Sequence, residues 1–354
     1  MVVRVGILGA SGYTGGELVR ILSGHPQAEV TLVTSQRFAG QALSEIYPQL
    51  QGVAGPDGTP LTCRKLNASE AAEMCDVAFC ALPHVTSMGV VPEMIEAGVK
   101  VVDLSADFRL NNAETYAEWY GTEHTAPELL HEAAYGLPEL NREALKKARL
   151  VANPGCYPTS ILLGLAPMLK EGVVDLEALV SDSKSGASGA GRAPSQATLY
   201  CEVAEGFKSY KTIGHRHTPE IEQEIGRLVG QDDVKVRFTP HLIPQSRGIL
   251  STLYVRTGED GRDAKQWRQV YEAFYADKPF VRVLPEGRLP ATNHVRGSNF
   301  CDVAITHDPR TGWFVVLSAI DNVMKGASGQ AVQNMNLMLG MEEGLALGAF
   351  PLFP

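Results

Sequence analysis

A cysteine set among prolines, in VANPGCYPTSILLGLAPML (151–169), and a histidine pair, in GHRHTPEI (214–221), are the residues best suited to covalent chemistry. Cys156 falls where a short apolar run turns into a helical pattern. A helix start favours a thiolate through its dipole and free N–H groups, and a nearby imidazolium lowers a thiol pKa further. Pro158 suits the first helical turn, and Pro154-Gly155 shape a sharp approach to it. In an extended segment His215 and His217 project to one side, so either can serve a thiol or carbonyl as base and then as acid. Nucleophile, metal ligand and packing residue are the three uses open to Cys156. The six cysteines include no C-x-x-C pair and no zinc-type spacing, and no third ligand accompanies the two histidines. No metal and no disulfide framework are therefore expected. Cys63, Cys75, Cys80, Cys201 and Cys301 read as small packing residues.

Four further stretches suit anions. Gly9-Ala10-Ser11-Gly12-Tyr13-Thr14-Gly15 follows an apolar run and opens a helical one. Its glycines allow a tight turn and let helix-start N–H groups approach a pyrophosphate; the spacing is a variant of the dinucleotide fingerprint. The second strand ends at Thr34-Ser35-Gln36-Arg37, with no carboxylate for a ribose 2'-hydroxyl. A hydroxyl and a guanidinium suit a 2'-phosphate, so NADP(H) is expected over NAD, although Arg37 also reads as a solvated loop charge. The stretch from Ser183 to Arg192 (SKSGASGAGR) offers consecutive amides and two cations, and reads as a ligand loop. Arg109, in DLSADFR, follows a predicted sheet strand, where open α/β sheets gather their sites. It either clamps a phosphate or carboxylate or pairs with Asp103 or Asp107.

These residues need a frame. Apolar runs at 2–8, 30–33, 77–82, 99–104 and 149–152 alternate with helical segments such as SMGVVPEMIEAG. The pattern predicts an α/β Rossmann nucleotide-binding domain built on a parallel sheet. Beyond Cys156, longer strands (VKVRFTPHLIP, ILSTLYVRT, WFVVLSAID) around the helical DAKQWRQVYEAFYAD predict an α+β domain with a largely antiparallel sheet. The C-terminal KGASGQAVQNMNLMLGMEEGLAL is helical, with Ala331, Val332, Met335 and Leu339 at inward spacing. At 354 residues, 44% apolar and 20% charged, the chain can bury two such cores. The apolar ILLGLAPML is too short and proline-broken for a bilayer and the first residues lack a signal layout, so a cytoplasmic location is expected. A net charge of -9 with no Lys/Arg block argues against nucleic acid as a partner.

Taken in order, GASGYTG, DLSADFR, NPGCYPT, SGASGAGR, GHRHTPEI and DNVMKGASGQAVQ closely resemble the N-acetyl-gamma-glutamyl-phosphate reductase family over nearly the whole chain. More distantly the layout is similar to aspartate-semialdehyde and glyceraldehyde-3-phosphate dehydrogenases. The resemblance implies NADPH-dependent reduction of a small acyl phosphate to an aldehyde through a cysteine thioester, in arginine biosynthesis. It implies a Rossmann domain of 1–153 with 326–354, a catalytic domain of 154–325, and a homodimer or homotetramer. Cys156 would be the nucleophile and His217, or else His215, the acid/base. Arg109, Asn153, Ser185, Gly186 and Arg192 would lie near the substrate. Gly9, Ser11, Gly12, Tyr13, Thr14, Gly15, Ser35, Arg37, Ser188 and Asn322 would lie near the cofactor. Cys156 is then expected within reach of His217 and of the nicotinamide.

Rival readings differ in what they need. A reductase of the one-carbon-longer N-acetyl-aminoadipyl phosphate uses the same chemistry. A non-enzymatic dinucleotide-binding redox sensor needs the glycine turn but no thiol beside an imidazole, and a thiol hydrolase needs the reverse. The Tyr-x-x-x-Lys pair of short-chain oxidoreductases does not occur in the sequence.

Overall fold

The computed structural model describes residues 2–353, which form two compact units. One gathers the chain up to Pro154 with Ala327–Gly348; the other gathers Gly155–Gly326 with the residues from Ala349 on. Met1 and Pro354, included in the expected domain limits, lie outside the described residues.

The first unit holds strands β1 (Val3–Leu8), β2 (Ala28–Thr34), β3 (Val77–Cys80), β4 (Lys100–Asp103), β5 (Ala134–Tyr135) and β6 (Leu150–Ala152). They form one parallel sheet in the order β2-β1-β3-β4-β6-β5, the Rossmann-like layout that the apolar runs predict. Only β5, two residues long, has no apolar run to announce it. Val5, Ile7, Phe79, Val101 and Val151 are fully buried, as parallel strands covered on both faces require. The glycine loop, Ser35 and Asn153 all follow the carboxyl ends of these strands, where open α/β sheets gather their ligands.

The helix Gly329–Met338 belongs to this unit, and every one of its residues is buried. Buried amides must find partners. Gln330 and Asn334 both donate to the Gly136 carbonyl, at 2.9 and 2.8 Å, and Asn336 meets His25 Nε2 at 3.1 Å. Ala331, Val332 and Met335 face the core as expected, whereas Leu339 lies beyond the helix as its C-cap.

The second unit holds β7 (Val180–Ser185), β8 (Lys208–Ser209), β9 (Arg237–Leu242), β10 (Ile249–Val255), β11 (Val281–Val283), β12 (Cys301–Asp308) and β13 (Trp313–Ile320), in the order β11-β12-β13-β10-β7-β9-β8. Pairing is antiparallel except for β11 with β12 and β7 with β9. The helices Cys156–Lys170 and Ala264–Phe274 pack on this sheet. Val180, Leu250, Val315 and Leu317, facing the other way, are only half-buried, and Tyr254 is exposed.

Three findings correct the sequence reading. Ser183, Lys184 and Ser185 lie in β7, so the loop expected from 183 begins only at Gly186. Inward serines build that strand's buried face by bonding one another: Ser183 meets Ser181 at 3.2 Å and Ser251 at 2.7 Å, and Ser160 of the overlying helix donates to Ser251 at 2.9 Å. Cys63, Cys75, Cys80 and Cys301 are buried, but Cys201 is exposed in the short turn of helix Tyr200–Val203 and is no packing residue. Residues from Ala349 on group with the second unit, where Leu352 N–H donates to the Arg296 carbonyl at 2.9 Å, although the sequence reading carried them to the first.

Asp103, at the end of β4, is fully buried. The Ser105 hydroxyl and N–H donate to it at 2.7 and 3.1 Å, yet burial, with the Asp107 charge adding to it, pushes its carboxyl up to about 6. A carboxyl whose folded pKa exceeds its unfolded value holds its proton more tightly when folded. Folding stability should therefore fall as pH rises from about 4 to about 6 and stay lower above that. Asp103→Asn is expected to flatten this fall in urea unfolding, and an identical pH dependence in the two proteins would sink the assignment.

Candidate active site

The Cys156 thiol stands at the meeting of two helix starts. The chain leaves β6 through Asn153-Pro154-Gly155, and Cys156 is the first residue of its helix, with Gly155 as N-cap. Gly155 N–H donates to Glu220 Oε1 at 2.8 Å. A Cβ added to Gly155 would lie 2.7 Å from His217 Nε2, so the imidazole rests on the glycine backbone, one residue from the thiol. Gly326 approaches from elsewhere: a Cβ there would lie 2.8 Å from Cys156 Cβ. Cys156 is left half-buried.

His217 is the N-cap of the helix Thr218–Val229, and the buried Glu220 is that helix's third residue. One carboxylate and one imidazole at the start of this helix thus hold the start of the other. His215 is not a second copy of His217. It is buried among the rings of Tyr157, Tyr210 and Phe238, and its Nδ1 accepts the His217 N–H at 3.1 Å. Burial, then the charges of Lys211 and Arg216, push its pKa down to about 4. Tyr157 O–H donates to the His241 carbonyl and receives the Tyr210 O–H, both at 3.2 Å.

The loop after β7 is anchored at Gly186 and at Ser188. Gly186 N–H donates to the Gly248 carbonyl at 2.9 Å, and a Cβ on Gly186 would lie 2.8 Å from the backbone of Ser246. Asn322, just past β13, accepts the Gly248 N–H at 2.7 Å and donates to the Ser188 hydroxyl at 2.9 Å. Ser185 donates to its neighbour's carbonyl, and Arg192 is exposed.

In the first unit the glycines of the β1 turn do different jobs. Gly9 has φ +92°, and a Cβ there would lie 2.3 Å from the Ala81 carbonyl oxygen; Gly15 would clash with Ala10 Cα at 2.6 Å. Gly12, the N-cap of helix Tyr13–Leu22, has an ordinary φ of -79°, and an added Cβ would make only an ordinary van der Waals contact, with Gly9 O at 3.6 Å. The protein's own packing does not demand a glycine there, but close approach of a pyrophosphate to the helix start does. These residues therefore fit a dinucleotide. Ser11 and Ser35 share a hydrogen bond of 2.8 Å across the turn, and Arg37 is exposed with its guanidinium 5.2 Å from the Phe38 ring. Tyr13 is exposed, and the Thr14 carbonyl accepts the Ser328 hydroxyl at 2.9 Å.

Arg109 is buried and donates to the carbonyls of Asn153 and Leu104, both at 2.8 Å. Asn153 in turn donates to the Ala327 carbonyl at 3.2 Å and accepts from Asn334 at 3.0 Å. Among the described residues no cluster of three or more His, Cys, Asp or Glu could hold a metal ion, and no helix is long and apolar enough to cross a membrane.

Comparison with known proteins decides the family. The family described as semialdehyde dehydrogenase, NAD binding domain, matches residues 4–148, and its dimerisation domain matches residues 156–322. An N-acetyl-gamma-glutamyl-phosphate reductase of Magnetococcus marinus is 58% identical over 99% of this chain and 99% of its own length. The chain belongs to the N-acetyl-gamma-glutamyl-phosphate reductase family. A second reductase of that name, from Desulfotalea psychrophila, is 54% identical over 99% of this chain and all of its own. The fold of the reductase is shared with aspartate semialdehyde dehydrogenase II of Vibrio cholerae, solved with ASA (TM-score 0.73, 19% identity, 96% of this chain and 99% of that one). It is shared equally with aspartate semialdehyde dehydrogenase of Candida albicans, solved with NADP (TM-score 0.73, 17% identity, the same coverage).

Sequence reasoning missed Glu220, Tyr157 and Tyr210. An acid three residues into the helix after His217 was the available signal for Glu220, but its target lies 65 residues earlier in the chain. Because the imidazole rests on Gly155, Gly155→Ala is expected to cut reductase turnover by about 10²-fold, through displacement of His217. Turnover close to wild type, in a protein of unchanged melting temperature, would contradict it.

Proposed function

We propose that this chain reduces N-acetyl-gamma-glutamyl phosphate to N-acetylglutamate 5-semialdehyde and phosphate, with NADPH as reductant, as a step of arginine biosynthesis. The observation that carries the reading is the half-buried Cys156 at a helix start with the His217 ring on the adjoining glycine. Identity of 58% to a full-length reductase of that name supports the substrate.

His217 takes the Cys156 proton, and the helix start stabilises the thiolate. The sulfur attacks the acyl carbon; the C–S bond forms as the C–O bond to phosphate breaks, and phosphate leaves with the electron pair. NADPH, when bound, supplies the hydride that reduces the thioester carbonyl. The oxyanion that results is stabilised by helix-start N–H groups and protonated by His217. Return of that proton to His217 expels the thiolate and frees the aldehyde. Proposed substrate contacts are Arg109, Asn153, Ser185, Gly186 and Arg192. Proposed cofactor contacts are the loop from Gly9 to Gly15 with Ser11, Gly12, Tyr13 and Thr14, then Ser35, Arg37, Ser188 and Asn322.

A homo-oligomer is part of this reading, supported by the half-buried apolar face of the second sheet and by the matched dimerisation domain. A nucleic-acid partner is not, given the net charge of -9. A cytoplasmic location agrees with six free cysteines, which a reducing compartment preserves.

The test runs the reaction backwards: NADP+, phosphate and N-acetylglutamate semialdehyde should give NADPH absorbance with wild type and none with Cys156→Ser, which should still bind NADPH. Activity retained by the serine variant refutes the nucleophile. Preference for the one-carbon-longer aldehyde would move the chain to the aminoadipyl substrate. Arg37→Ala should weaken NADPH binding about tenfold or more and leave NADH binding nearly unchanged, on the loss of a charged hydrogen bond. An equal effect on both would remove the 2'-phosphate contact.

A further inference from the structure

His215 faces His217 through the backbone. Its Nδ1 accepts the His217 N–H at 3.1 Å, and its carbonyl accepts the Thr218 N–H at 2.9 Å. This pair of bonds, side chain to residue i+2 and carbonyl to residue i+3, is the turn that Asn and Asp make when they open a helix. An acceptor at Nδ1 carries no proton, so the neutral ring holds its single proton on Nε2. Such a ring has no lone pair left for a thiol proton, and a second proton at Nδ1 would point at the His217 N–H. The rings of Tyr157, Tyr210, Phe238 and His217 stand around it edge-on, with centroids 4.9 to 5.6 Å away. The charged groups acting on it are Lys211 and Arg216, both cations, and burial acts in the same direction to keep it neutral.

We infer that His215 is a positioning residue, a non-titrating hydrogen-bond acceptor that fixes the backbone of His217 and so sets the imidazole of His217 on Gly155. The inference rests on the proposed reductase reading with His217 as acid/base. It makes the histidine at 215 replaceable by a residue that cannot carry a proton, provided that residue accepts the same N–H.

The test compares His215→Asn, His215→Ala and His217→Asn by kcat against pH. It also follows the rate of Cys156 alkylation by iodoacetamide against pH, with mass spectrometry of the Cys156 peptide so that the exposed Cys201 does not contribute. Circular dichroism and melting temperature establish that each variant is folded. His215→Asn, which restores the acceptor, should keep kcat within about tenfold of wild type, with both limbs of the pH profile and the alkylation midpoint unmoved. His215→Ala should lose about 10²-fold in kcat with the limbs still in place. His217→Asn should lose about 10²- to 10⁴-fold and shift the alkylation midpoint upward. A folded His215→Asn that loses a limb of the profile, or whose alkylation midpoint moves as that of His217→Asn does, overturns the inference. Alkylation needs no turnover, so a folded wild type that forms no NADPH in the reverse reaction would defeat the reductase reading while leaving the alkylation result to decide on His215.

Discussion

The hydrogen bond from Gly155 N–H to Glu220, with the His217 ring laid on the same glycine, is the constraint on which the site depends. It joins the starts of two helices that lie far apart in the chain. Helix starts carry N–H groups with no intrahelical acceptor, and a buried start needs a partner for them. Glu220 supplies one, and by doing so fixes where the helix of His217 begins relative to the helix of Cys156. No side chain could sit at 155 without pushing the imidazole away. Proximity of thiol and imidazole is thus a property of backbone and glycine more than of either side chain.

The sheet beneath the Cys156 helix holds that arrangement still. Serines at 160, 183 and 251 bond one another in a buried seam, and Gly164 brings the helix to where an added Cβ would meet Leu253 Cδ1 at 2.4 Å. Hydroxyls paired in this way add direction to packing that apolar contact alone would leave free to slide. In the first unit the same logic operates with amides, which tie the helix Gly329–Met338 to Gly136 and Asn153.

Much of this was legible in the residues. Apolar, β-branched runs announced five strands of the first sheet, and glycine spacing announced the turn after β1, because those signals are local. The motifs carrying Cys156, His215 and His217 were visible as reactive residue types. What periodicity hid was β7, whose inward face is serine and so reads as a polar loop until its hydroxyls are seen to satisfy one another. The different fates of His215 and His217 were hidden as well. Spacing puts them side by side, but one becomes a caged acceptor and the other a half-buried imidazole against Gly155, through neighbours such as Tyr210 and Phe238 that spacing does not reveal.

The discontinuous first unit has a consequence for the order in which the chain can mature. The residues up to Pro154 leave the ribosome well before the helix Gly329–Met338 that completes the unit. Until that helix arrives, the Gly136 carbonyl lacks the two amides that cover it, and His25 lacks Asn336. Residues 155–326 of the second unit are synthesised in between, so they emerge while the nascent nucleotide-binding unit still waits for this buried helix.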